Sequence, residues 1–293
     1  MSEYTNISAG LAARLALEKH GFRFTHSLGQ NFILDDDLLG RMLDLALVEP
    51  DGRVLEIGPG AGVMTRLMAE RGADVTAVEL DETLRPVLED MVGGYPNVRL
   101  VFADALKADL RALMGVGPFS VIANLPYYIA TDLIEKLLTG EPKPRRLTVM
   151  VQKEAAERMT AASGGKTWCA LAATVQYFAR CEAVMELPPA AFTPPPHVDS
   201  VLLRLEPYGD DAPVRAADDA PVRAADDAMM LRAIRAAFAM RRKTLANNLT
   251  AAFAMPREEA AALIESLGLD ARVRGEALSI AQLAALSDEL SAR

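Results

Sequence analysis

An apolar run that breaks into glycine at every second position constrains this chain more than any other stretch. It reads Val54-Leu55-Glu56-Ile57-Gly58-Pro59-Gly60-Ala61-Gly62. Its first residues suit a buried parallel strand, and the glycines permit a turn at positive φ with a ligand close to the main chain. A helix expected from Val63 to Glu70 would open with unpaired N–H groups over that turn. The stretch predicts a nucleotide-type site at the carboxyl end of a strand.

The glycine spacing bears on which nucleotide. A dinucleotide fingerprint needs G-x-G-x-x-G, and Val63 stands where its last glycine belongs, which weakens a pyrophosphate-binding reading. The pattern E-x-G-x-G-x-G instead resembles the first motif of class I methyltransferases, which bind S-adenosylmethionine (SAM), a ligand without phosphate. The next apolar run, Asp74 to Glu79, ends in an acid that can accept from both ribose hydroxyls of either cofactor. A third, Val98 to Ala103, ends at Asp104, a candidate acceptor for an adenine amine. A fourth, Phe119 to Ala123, ends in Asn124-Leu125-Pro126-Tyr127. Any one of these is a weak signal, but ligands of open parallel sheets gather at strand carboxyl ends, and here four such ends carry them in order.

The rest of the chain sets the frame. Its 293 residues, 51% hydrophobic, suffice for one large domain and a smaller one without staples. Cys169 and Cys181 lack metal or redox spacing, the three histidines are scattered, and no metal site is expected. With no basic-then-apolar start and no long apolar run, a cytoplasmic protein without membrane attachment is expected. The net charge of -9 argues against wholesale coating of nucleic acid, although Arg241, Arg242 and Lys243 crowd one turn where phosphates could be met. A solvated basic corner explains those three cations equally well.

Strand-like runs alternate with helical ones from Arg53 to Glu206, predicting a mostly parallel sheet with helices on both faces. Helices are expected from Ser8 to His20, Asp36 to Val48 and Asp81 to Met91, then near 131–138, 152–160 and 169–180. The runs 183–187 and 201–205, joined without a helix, should form an antiparallel edge. Between them a proline-dense loop holds Phe192, which could stack on a base, although ordinary packing under the loop is the reading these residues alone favour. Residues 1–206 form the expected sheet domain and 207–228 a flexible linker. That linker contains a tandem octapeptide, Asp211 to Asp218 repeated as Asp219 to Asp226. Residues 229–293 form a small all-α domain, with helices at 229–240, 244–253, 257–266 and 280–291.

Gly29-Gln-Asn-Phe32, the glycine motif, Glu79, Asp104, Asn124-Leu-Pro-Tyr127, Val151-Gln-Lys-Glu154, Phe192-x-Pro-x-Pro-x-Val-Asp-Ser200 and Arg241-Arg-Lys-x-Leu-x-Asn-Asn-Leu249 occur in order. Together they resemble the ribosomal RNA small-subunit adenine dimethyltransferases, which are class I SAM-dependent enzymes with a Rossmann-like sheet. The resemblance implies transfer of two methyls to each of two adjacent adenines near the 3′ end of small-subunit RNA, in an immature ribosomal subunit, by a monomer. It places Asn31, Ile33, Gly58, Gly60, Glu79, Asp104 and Asn124 at the cofactor. Asn124, Leu125, Pro126, Tyr127 and Phe192 fall at the target adenine, and Arg241, Arg242 and Lys243 on RNA. Trp168-Cys169 replaces the family's Tyr-Gly. Related branches, the large-subunit RNA dimethylases and the RNA-binding transcription or assembly factors on this scaffold, are the alternatives, and the Arg-Arg-Lys motif favours the small-subunit branch.

Overall fold

A computed structural model describes residues 4, 6–25, 29–125, 129–209, 214–215 and 221–293. The chain divides into two compact units, one of residues 1–156 with 182–207 and the other of 157–181 with 208–293. Sequence pattern alone assigned 157–181 to the sheet domain; by contact that segment belongs with the carboxyl-terminal helices.

The first unit opens with α1 (Ala9–Lys19), capped by Ser8 as expected. Asp36, at the start of α2 (Asp36–Leu45), also binds the Ala9 and Gly10 N–H groups at 2.8 and 2.7 Å. Strand β1 (Arg53–Ile57) leads through the glycine turn into α3 (Val63–Glu70), and β2 (Asp74–Glu79) follows. The helix expected from Asp81 begins as a 3₁₀ turn over Glu82–Leu84, and Pro86 then sits in the first turn of α4 (Arg85–Val92). A proline there forgoes only an N–H that has no helical partner. Next come β3 (Val98–Phe102) and α5 (Leu110–Met114), a short helix the apolar pattern did not signal. Its cap, Asp109, accepts from the Arg111 and Ala112 N–H groups. The unit continues through β4 (Ser120–Asn124), α6 (Ala130–Thr139) and β5 (Arg146–Gln152) into α7 (Lys153–Met159).

Between α7 and the return of the chain lies α8 (Ala170–Phe178), then β6 (Ala179–Leu187) and β7 (Ser200–Pro207). The seven strands order as β3-β2-β1-β4-β5-β7-β6. The first five neighbours pair in parallel, whereas β7 runs antiparallel to β5, with Val151 opposite Val201. The two expected strands therefore do form that side of the sheet, with β7 antiparallel to β5 and β6 outermost. Strand order reverses between β1 and β4, the place where such sheets open a ligand crevice.

Besides α8, the second unit holds helices close to their expected spans: α9 (Asp227–Phe238), α10 (Leu245–Phe253), α11 (Arg257–Ser266) and α12 (Ile280–Ser291). Trp168 is fully buried there, donating its indole N–H to the Leu278 carbonyl at 3.0 Å and meeting Phe238 edge to face. The second octapeptide copy is largely exposed at Arg223, Ala225 and Asp226, as a linker should be, but it is tethered and Ala224 is buried. The Ala224 N–H reaches the Tyr177 hydroxyl, the Ala225 N–H reaches Asp288, and Asp226 caps α9. Most of the first copy lies outside the described residues. Its β8 (Val214–Arg215) pairs antiparallel with β9 (Pro221–Val222) of the second, setting Val214 opposite its own repeat, Val222.

Candidate active site

The glycine turn shapes one wall of the site. Gly58 and Gly60 adopt φ of +74° and +56°, a region that disfavours any residue with a Cβ. A Cβ on Gly60 would lie 2.8 Å from the Phe32 ring, which itself rests against Phe22 and Phe24. The Gly29-Gln-Asn-Phe32 segment is thus pressed onto the turn. Phe32 and Thr193 exchange backbone hydrogen bonds of 2.9 and 2.8 Å, which anchors it to the proline-rich loop. The Gln30 side chain donates to Asp81 at 2.6 Å and accepts from the Thr25 N–H at 2.7 Å, tying the segment to the end of β2.

These elements enclose an open cleft of about 710 Å³ at the carboxyl ends of β1, β2 and β4, including the part open to solvent. Asn31, Gly58, Gly60, Glu79, Asp104 and Asn124, six of the expected cofactor residues, line it. Ile33 does not; it is buried at 5% exposure and faces an adjoining smaller cavity beneath the turn. Gln30, Leu80, Ala105 and Ile129 also line the cleft. The sequence signals for these were Gln30 inside its motif and the positions directly after two acids.

Hydrogen bonding fixes the polar groups. Glu79 Oε2 accepts from the Gly60 N–H at 3.2 Å and Oε1 from the Asp81 N–H at 2.9 Å. Burial raises its pKa, against the lowering effect of those amides. Asp104 accepts from Lys107 at 3.0 Å and from the Leu106 N–H at 3.0 Å, and the Lys107 bond leads in holding its carboxyl below the usual carboxylate range. The Asn124 side-chain amide donates to the Asn31 carbonyl at 2.9 Å, leaving Oδ1 as an acceptor. Leu125 is buried, while Pro126 and Tyr127 lie outside the described residues. Phe192, at 4% exposure, packs into the core with Phe32 and Leu187, as the loop reading favoured, so its ring is not an open stacking platform here.

The acid that opens the glycine motif, to which sequence pattern assigned no role of its own, completes the picture. Glu56, 3% exposed in β1, faces the smaller cavity and accepts a 2.6 Å hydrogen bond from Thr65. Burial pushes its carboxyl up to about 8.

Strand-end acids suit sugar hydroxyls and an adenine amine, and apolar walls suit a ring. That donor set fits SAM. Fold and site together define a class I methyltransferase that uses SAM as methyl donor. The sequence profile of the family called ribosomal RNA adenine dimethylase matches residues 21–292. A ribosomal RNA small subunit methyltransferase A of Geobacillus kaustophilus is 40% identical over 98% of both chains, and that of Clostridium perfringens 39% over 94% of this chain and 93% of its own. This chain belongs to the ribosomal RNA adenine dimethylase family. Among solved structures, the 23S rRNA methyltransferase ErmE is 26% identical with a TM-score of 0.64, covering 89% of this chain and all of its own. A dimethyladenosine transferase of Plasmodium falciparum shares the fold, with a TM-score of 0.70 at 24% identity over 88% of this chain and 96% of its own.

Among the described residues, no helix is long and apolar enough to cross a membrane, and no cluster of three or more His, Cys, Asp or Glu could hold a metal.

Proposed function

We propose that this protein dimethylates the exocyclic amines of two adjacent adenines near the 3′ end of small-subunit ribosomal RNA, acting as a cytoplasmic monomer on an immature small subunit. The observation that carries the reading is the convergence of Glu79, Asp104 and Asn124 on one cleft beside the glycine turn. The small-subunit target is supported by relatives at about 40% identity, above the 26% of the large-subunit enzyme.

SAM supplies a methyl carbon that is already strongly electrophilic, so the work left to the protein is positioning a poor nucleophile. An adenine amine delocalises its lone pair into the ring. Asn124 Oδ1 and the Leu125 carbonyl would accept its hydrogens and turn that lone pair toward the methyl, with Pro126 stiffening the segment. The proton becomes acidic once nitrogen is alkylated, so no general base is needed beforehand. The adenine must leave its stack, at a cost of a few kcal/mol that stacking on Tyr127 offsets. Phe192 joins that stack if the proline-rich loop turns its ring out of the core. Glu79 would hold the ribose and Asp104 the adenine amine of the cofactor, Asn31 and Gly58 would contact it through backbone, and Ile33 would support that loop from beneath. Arg241, Arg242 and Lys243 would meet RNA phosphates; all three are exposed.

Incubation with methyl-labelled SAM and immature small subunits tests the reading. Label should appear on adenine N6 in small-subunit RNA. Label confined to large-subunit RNA, to another base or to protein refutes it, and absence of SAM binding by calorimetry favours a binding-only factor.

A further inference from the structure

Helix α6 carries Lys136 about two turns beyond Ile129, a residue of the cleft wall. The Lys136 ammonium donates to the carbonyls of Ala105, Leu106 and Ala108 at 3.0, 2.9 and 2.6 Å. An ammonium has three hydrogens, so one stretch of main chain takes up all of them. That stretch is the turn after β3, in which the Asp104 carbonyl accepts from the Lys107 and Ala108 N–H groups at 3.0 and 2.9 Å. Without the cation, three carbonyl oxygens would converge on partly buried space with no donor between them, a costly arrangement.

The first of those bonds bears on the cleft, which Asp104 and Ala105 both line. In a trans peptide the carbonyl and the following N–H point in opposite directions. The Ala105–Leu106 peptide gives its oxygen to Lys136 and therefore turns its N–H the other way. That N–H, on Leu106, donates to Asp104 Oδ1 at 3.0 Å. Hydrogen bonds in such a chain polarise one another, so the ammonium behind the peptide strengthens its grip on Oδ1. The other oxygen, Oδ2, pairs with Lys107 at 3.0 Å, but that side chain is 86% exposed and water competes for it. The main-chain bond is what holds the carboxylate in place, and Lys136 holds the main chain.

We propose that Lys136 is a positioning residue for the methyl donor: through the Ala105–Leu106 peptide it aims the Asp104 carboxylate at the adenine amine of SAM. The proposal deepens the SAM-dependent reading of this cleft and rests on Asp104 as the acceptor of that amine. Lys136 reaches the cofactor only by way of Asp104.

Calorimetry with SAM and with the analogue in which purine replaces adenine supplies the test. Purine lacks the exocyclic amine and has no other N–H on its pairing edge, so it makes no use of an acceptor there. The native protein should bind SAM at least about tenfold more tightly than the analogue, the scale of one hydrogen bond to a carboxylate. Lys136→Met should bring the two affinities within about threefold of each other by weakening SAM binding alone. Unchanged affinity for the analogue reports an intact cleft. In an Asp104→Ala background Lys136→Met should leave SAM affinity as it was, because the route to the amine is already cut. Equal loss of both ligands in Lys136→Met, or a SAM loss that persists without Asp104, makes Lys136 a purely structural tie and overturns the proposal. A native preference that Lys136→Met leaves standing overturns it too. Should Lys136→Met fail to fold, Lys136→Gln, with one donor group left for the turn, is held to the same outcomes. A native protein that binds both ligands equally overturns the role of Asp104 and this proposal with it, whereas the SAM reading itself falls only if neither ligand binds.

Discussion

Replacing Glu56 with glutamine tests whether the carboxyl beneath the glycine turn is held neutral by burial. Its pKa moves from 4.5 to about 8, mainly through desolvation, with the Thr65 hydrogen bond opposing and the charge of Glu79 adding. In the unfolded chain the group loses its proton near 4.5, so between there and about 8 the native state keeps a proton that unfolding releases. Stability contributed by this group is fully present below the unfolded value and is lost as pH rises through that window. Each pH unit costs about 1.4 kcal/mol, so raising pH from about 5 to about 7.5 removes about 3 kcal/mol. Glutamine keeps the shape and an acceptor for Thr65 but does not titrate. Urea denaturation of both proteins at several pH values gives the comparison. Native stability minus that of Glu56→Gln should fall by about 3 kcal/mol across that range. A pH-independent difference would refute the claim that Glu56 is protonated in the native state, and a difference that grows with pH would assign the carboxylate form a stabilising partner.

Glu79→Ala should abolish SAM binding by calorimetry, because it removes the expected ribose acceptor and the anchor for the Gly60 and Asp81 N–H groups; retained native affinity would remove Glu79 from the cofactor site. Gly60→Ala forces a Cβ toward the Phe32 ring at a left-handed φ, and thermal denaturation should show a loss of about 1 to 3 kcal/mol, whereas an unchanged melt would mean the turn relaxes freely. Reversing charge at Arg241 and Arg242 should weaken RNA association and flatten its salt dependence, and an unaltered slope returns them to a solvated corner.

Much of this protein was legible before any coordinates. Glycine at 58, 60 and 62, acids ending two apolar runs and Asn124 ending another are local chemistry, and local chemistry follows chain order. Helix α3 and strand β2 lie at their expected bounds for the same reason, since apolar periodicity and turn residues are short-range signals. The resemblance carried family and cofactor. Phe192 illustrates the limit: proline density predicts a stiff loop, yet whether its ring faces solvent or the core depends on Phe32, 160 positions away in sequence.

The amino-acid sequence by itself determined most of the succession of strands and helices, the short α5 excepted, together with the cleft-lining acids and the motifs of the family. Tertiary structure alone decided that β6 rather than β7 is the outermost strand, that residues 157–181 join the carboxyl-terminal helices, and that the second octapeptide copy is tethered through the Ala224 and Ala225 N–H groups. It also decided that Glu56 is buried deeply enough to hold its proton. Those outcomes depend on which distant surfaces meet and exclude water, and desolvation is a property of the assembled fold that no short stretch of chain encodes.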